Sequence, residues 1–204
     1  MKTLFIPAKI KFELDEFKVK EISKQLPKNL VIAYSIQFKE IAEKIKNILS
    51  KKHDINSFIQ VLGCSKPKFS KPVQAILLIG SGKFHAVSLA YETKKPVFVF
   101  EKNSFVEISK KEIESFEKKK KASYVNYLNS KNTGILISTK PGQENLKKAL
   151  ELSKKIKDKK SYLFICNQIN TAEFENFGVD SYINTACPRI DLDNSNKIVN
   201  FSEI

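Results

Sequence analysis

The stretch AILLIGSGKFHA, residues 75–86, decides the fold. Its first five residues are apolar without alternation, which predicts a short strand buried on both faces, as in parallel sheets. Gly80-Ser81-Gly82 then breaks the run, and a helix-like segment follows over 84–93. Strand, glycine turn and helix open a βαβ unit. Such a turn exposes backbone N–H groups at a helix amino terminus, where an anion or a polar ligand tail is favoured. It is not the phosphate loop of nucleotide hydrolases, because the GxxxxGK[ST] spacing is absent. His85 falls in the first helical turn, facing the same mouth. Taken alone, it reads as a satisfied, half-buried imidazole.

Outward from this stretch the same order recurs. Strand-like runs are LVIAY at 30–34, VFVF at 97–100, GILIS at 134–138, YLFIC at 162–166 and SYIN at 181–184. Helix-like segments lie at 36–49, 84–93, 109–128 and 143–157. In the first of these, Ile36, Ile41, Ile45, Ile48 and Leu49 share a stripe, and Lys39, Glu43, Lys44 and Lys46 face out. The expected fold is α/β: two similar three-layer α/β domains with mainly parallel sheets, joined by a long helix. The stretch 103–130 is charged and poor in strand signals, with KKKK at 118–121. It reads as that solvated helix, about 104–128, and places the boundary near Asn129, giving domains 1–129 and 130–204.

The chain has 204 residues and a net charge of +14, from 36 basic and 22 acidic side chains. Of the bases, 35 are lysine, and Arg189 is the one arginine. Arginine is the usual tool for bidentate recognition of phosphates and guanine edges, so a DNA-reading surface is not expected. A lysine field can still attract nucleic acid diffusely. Solvated helix faces and a compositional bias towards Lys, Ile and Asn account for it better. No apolar run approaches the ~20 residues that span a bilayer. The start, MKTLFIPAKIKF, is too short in apolar residues for a signal peptide and is broken by Pro7, so a reduced, cytoplasmic setting is expected. Three cysteines argue against a closed disulfide framework and leave core thiols or metal ligands.

Four groups carry candidate chemistry. Cys64 in VLGCS, 61–65, sits after Gly63 and ahead of a Lys/Pro-rich loop; an ordinary loop cysteine and a ligand fit it equally. The Gly80–His85 turn is the second. In ISTKPGQ, 137–143, strand, polar turn and Gly142 precede a helix expected near Gln143, whose amide is poised for a ligand. Capping by Ser138, Thr139 or Gln143 is the plainer account. In NTACPRIDLD, 184–193, Cys187 follows a strand, and Pro188 fixes the next φ. Arg189 offers the one planar fork able to hold a carboxylate bidentately. Asp191 and Asp193 alternate with Ile190 and Leu192 as in a short edge strand. Cys166 ends an apolar run and reads as a core thiol. No CxxC or CxxxCxxC occurs, which excludes a zinc ribbon and a local ferredoxin-like cluster.

Together, LGCS, IGSGKFHA, GILISTKPGQ and FGVDSYINTACPRIDLD resemble the archaeal diphthamide synthase family, 2-(3-amino-3-carboxypropyl)histidine synthase. The resemblance covers nearly the whole chain. It implies three similar α/β domains in family members, each giving one cysteine to a shared 4Fe–4S cluster. It further implies S-adenosylmethionine bound at the open iron, a 3-amino-3-carboxypropyl radical, and its addition to one histidine of translation elongation factor 2. Residue by residue, it assigns Cys64 and Cys187 as cluster ligands. Gly80, Gly82 and His85 match a ligand-facing turn, and Ser138, Gln143 and Arg189 match groups near S-adenosylmethionine.

The chain departs from the family pattern by matching only its second and third domains. The preferred expectation is a split enzyme, in which a separate chain supplies the first domain and third cysteine. A non-catalytic scaffold paralogue is the alternative, and a Lys-rich RNA- or ribosome-binding module ranks last. Homodimerisation is a further expectation; membrane and nucleic acid are not expected as partners.

Overall fold

The computed structural model describes residues 4, 6, 8–62, 65–69, 72–190 and 196–204. They form two compact α/β units, one ending at Phe116 and the other starting at Glu117. The elements of the first are α1 (Glu16–Ser23), β1 (Asn29–Tyr34), α2 (Lys39–Leu49), β2 (Asp54–Gln60), β3 (Ala75–Ile79), α3 (Lys83–Thr93), β4 (Val97–Glu101) and β5 (Ser104–Glu107). Its sheet runs β2-β1-β3-β4-β5, parallel except for the last strand.

The apolar runs at β1 and β3 are central and buried on both faces. Leu30 and Ile32 of β1 point to a core built with Val19, Ile22, Ile41, Ile45 and Leu49 from α1 and α2. Val31 and Ala33 point to the opposite core, with Ala86, Leu89 and Ala90 of α3. Burying such a side chain stabilises by roughly 1.5–3 kcal/mol, so these two strands carry the unit.

Three elements of this unit escape the sequence patterns. Helix α1 is short and is capped by Asp15, which accepts from the Lys18 N–H at 3.1 Å. Edge strand β2 mixes polar and apolar residues and is only partly buried. Strand β5 occupies the start of the stretch 103–130, which reads as strand-poor, so the helix expected at about 104–128 begins only at Lys110. It forms a hairpin with β4 through Lys102 and Asn103, both at positive φ, the geometry of a tight two-residue turn. Lys102 gives no sequence signal for that turn.

Helix α4 (Lys110–Asn129) spans the division between the units, whereas the sequence pattern placed the boundary at the end of this helix. Ile113 in its first half packs on the first unit's core, and Tyr127 near its end packs on the second's. Ser109 and Glu112 cap it reciprocally: the Ser109 N–H and hydroxyl donate to the Glu112 carboxylate at 2.9 and 2.8 Å, and the Glu112 N–H donates back to Ser109 Oγ at 3.3 Å. Lys83 adds an ion pair at 2.7 Å. The hydrogen bond from Lys83, then those from Ser109, hold the Glu112 carboxyl at a pKa of about 2. A depressed folded-state pKa stabilises above the unfolded value and is lost as pH falls through the folded one. The stability gap between the wild type and Glu112→Gln is therefore expected to be full above about pH 4.5 and to close towards pH 2. Denaturant titrations across that range check it.

The second unit continues with β6 (Asn132–Ser138), α5 (Leu146–Lys155), β7 (Lys160–Cys166), β8 (Ser181–Asn184) and β9 (Ile198–Asn200). Its sheet is wholly parallel, in the order β7-β6-β8-β9. Ile135, Ile137 and Ile183 face Ala149 and Leu152 of α5. Leu136, Tyr182 and Ile198 face Phe174, from a tight helical segment at Thr171–Phe177. Helix α5 starts at Leu146 rather than near Gln143, because 140–143 forms a turn closed by the Gln143 N–H donating to Lys140 O at 3.0 Å. No helix among the described residues is long and apolar enough to cross a membrane.

Candidate functional site

Both sheets reverse strand order beside their first strand, and at such a switch point the carboxyl ends open a crevice that suits ligands. In the first unit that point lies between β1 and β3, and the Gly80–His85 turn occupies it. The Gly80 N–H continues the sheet by donating to Phe100 O at 3.3 Å. Gly82 precedes α3 at a φ of +79°. A Cβ on Gly82 meets nothing within 4 Å, so only backbone strain requires glycine there. Gly82→Ala is expected to cost about 1–2 kcal/mol with no loss of core packing, read as a shifted denaturation midpoint at constant slope.

The Gly82 N–H faces the Glu101 carboxylate at 3.4 Å. The turn thus already holds an anionic oxygen, weakly and at the end of β4, which is the behaviour expected of an anion-accepting helix entrance. His85 lies in the first turn of α3, half-buried, with its ring edge-on to Phe84 at 5.5 Å. Cys64 lies outside the described residues, as do Asp191, Leu192 and Asp193, on which the expected 190–193 strand depends.

In the second unit the switch point lies between β6 and β8. Ser138 ends β6 almost fully buried. Its hydroxyl accepts from the Lys140 N–H at 3.1 Å and donates to Asn167 O at 3.5 Å, so it shapes the turn rather than capping a helix. Gln143 is half-buried in that turn, three residues ahead of α5, and not in a first helical turn as its sequence context predicts. Cys187 lies in the loop after β8, a free and half-buried thiol. Arg189 is exposed two residues further on, and among the described residues no carboxylate pairs with it. The two loops are tied together: Asn145 Nδ2 donates to Thr185 O at 2.7 Å, and the Thr185 hydroxyl donates to Leu136 O at 2.8 Å.

Ser138, Gln143, Cys187 and Arg189 therefore share one sheet edge within the second unit. Cys166 ends β7 at the same edge, paired in register with Ser138. Burial, then the Glu173 carboxylate, push its thiol pKa up, which disfavours the thiolate that binds metal. The residues that hold the Cys187 loop, Asn145, Asn184 and Thr185, escape the sequence reading. The one signal for them is an Asn ending an apolar strand, the place where Asx turns form.

Among the described residues no three His, Cys, Asp or Glu side chains gather as a metal site. The donor chemistry at this edge suits iron, a soft thiol on a loop fixed through its backbone, but the number of donors does not complete a cluster.

The folds and motifs are those of a known family. A family model described as "Putative diphthamide synthesis protein" matches residues 1–201, and the chain belongs to that family. The 2-(3-amino-3-carboxypropyl)histidine synthase of Methanocaldococcus jannaschii is 34% identical over 95% of this chain and 57% of its own length. The enzyme of the same name from Pyrococcus horikoshii is 33% identical over 66% of this chain and 40% of its own. The crystal structure of Dph2 from P. horikoshii superposes with a TM-score of 0.77 at 27% identity, covering 92% of this chain and 60% of that one. A second structure of Dph2, with a 4Fe–4S cluster, gives 0.76 at 28% identity, covering 92% and 59%. The chain thus spans about two fifths to three fifths of these relatives.

Proposed function

We propose that this chain is one subunit of a split 2-(3-amino-3-carboxypropyl)histidine synthase. The observation that carries this is Cys187 on a braced loop at the switch point of the second unit, in a chain whose relatives are named for that activity. In this reading Cys187 and Cys64 are two ligands of a 4Fe–4S cluster, and a separate chain carrying a domain like the family's first supplies the third. When bound, the cluster supplies the electron that cleaves S-adenosylmethionine reductively and frees its 3-amino-3-carboxypropyl group. The acceptor is a histidine of translation elongation factor 2.

The chain's own groups position S-adenosylmethionine. Arg189 presents a planar fork for the methionine carboxylate, a geometry that lysine does not reproduce. Gln143 offers an amide oxygen to the ammonium group. In the first unit, the Gly80–Gly82 turn and His85 offer a helix entrance suited to a polar or anionic ligand group. Thiol ligands need a reducing compartment, so the reading includes a cytoplasmic setting.

Anaerobic reconstitution with iron and sulfide tests this reading. The chain alone is expected to hold little stable cluster, and the mixture with the first-domain chain to show a 4Fe–4S spectrum. No cluster in the mixture overturns the split-enzyme reading in favour of a non-catalytic scaffold.

A further inference from the structure

Asn184 is 2% exposed at the end of β8, and the cysteine three residues on depends on it. Its Nδ2 donates to the Cys187 carbonyl at 2.8 Å and to Asn200 Oδ1 at 2.8 Å, while its Oδ1 accepts from the Ala186 N–H at 2.9 Å. These partners fix which end of the amide is which, because an N–H must donate and a carbonyl must accept. The Cys187 carbonyl also accepts from the Ile190 N–H at 3.1 Å, so its peptide plane is held from two sides. A peptide held in this way has its rotation restricted, and with it the direction of the Cα–Cβ bond from which the thiol projects.

The brace extends away from the loop with consistent polarity. Asn200, 4% exposed on β9, turns its Nδ2 to Glu203 Oε1 at 3.4 Å. Glu203 pairs with Lys120 at 2.6 Å, both side chains being only 16–17% exposed. Each amide in the chain Lys120–Glu203–Asn200–Asn184 therefore donates towards an acceptor. Buried polar networks of this kind specify one arrangement when satisfied and loosen when one member is lost.

We infer that Asn184, oriented by Asn200, is the positioning residue that presents the Cys187 thiol in one direction. Its role in ligation rests on the function proposed above, whereas the clamp itself does not. Asn184→Leu keeps the approximate size and removes the donor without adding a charge. Asn200→Ala leaves Asn184 in place and removes its orienting partner, and so serves where the first variant folds poorly.

The readout is iodoacetamide labelling of the iron-free full chain, followed peptide by peptide. Cys187 is expected to react roughly five- to tenfold faster in both variants, the weight of about one hydrogen bond, with Cys166 unchanged. Unchanged Cys187 rates in folded variants overturn the clamp. An equal rise at Cys166 also overturns it, by showing general loosening. Iron content of the wild-type complex is measured in parallel: no iron there defeats the cluster reading, while the labelling result stands by itself.

Discussion

Cys187→Ser is expected to strip the reconstituted complex of nearly all its cluster, and Cys166→Ser to leave it in place. Both cysteines sit at the carboxyl edge of the same sheet, so proximity alone does not separate them. Their settings do. Cys187 is on a loop whose backbone is held by Asn184 and Ile190. Cys166 ends a strand, where its carbonyl accepts from the Thr139 N–H at 3.0 Å and burial raises its pKa. The thiolate is the ligand, and a serine hydroxyl stays protonated at neutral pH. Iron and sulfide analysis with absorption spectra of each variant complex checks the contrast. Retention of the cluster by Cys187→Ser contradicts the assignment.

Gly134→Ala is expected to be the most destabilising single methyl in the second unit. Gly134 lies within β6, in register with Tyr162 on one side and Tyr182 on the other. A Cβ there lands 2.5 Å from the Tyr182 ring and 2.9 Å from the Phe164 ring. Neither ring is free to yield. Tyr182 is 4% exposed and its hydroxyl donates to Phe174 O at 3.0 Å, and the Phe164 and Phe174 rings pack at 4.9 Å. Overpacking of this kind costs about 2–3 kcal/mol, and a domain of this size loses roughly 4–8 °C of Tm per kcal/mol. Thermal and denaturant unfolding of the full chain measure it; a change below about 0.5 kcal/mol, typical of a surface substitution, contradicts the packing account.

The strands AILLI, LVIAY and GILIS are legible in the sequence because unbroken apolar runs suit parallel strands covered on both faces. The run YLFIC is legible in the same way, but it forms the edge strand β7 with Tyr162, Leu163 and Ile165 exposed. Strand β2 is missed because Asn56, Ser57 and Gln60 dilute its pattern at a sheet edge, and β5 because a turn through Lys102 carries no marker. The start of α5 is misplaced because Pro141-Gly142 resembles a helix entrance, while the chain first closes a turn at Gln143. The candidate site is half legible for a similar reason. Cys187 and Arg189 announce themselves by chemistry. The brace behind them joins Asn184 to Asn200, which become neighbours only because β8 pairs with β9.

Of the +14 charge, the proposed site uses Arg189 alone. Lysines instead pair across exposed faces, as Lys9 with Glu40 and Lys24 with Glu21, contacts that contribute little each.

Whether this chain acts within a transferase for the 3-amino-3-carboxypropyl group is decided by isotope transfer. The anaerobic complex is given elongation factor 2, a reductant and S-adenosylmethionine labelled either in the carboxyl carbon or in the methyl group. Carboxyl label is expected on one histidine of the factor and methyl label is not, and transfer is expected to stop when this chain is omitted. Transfer of methyl label, or undiminished transfer when this chain is left out, would contradict that role.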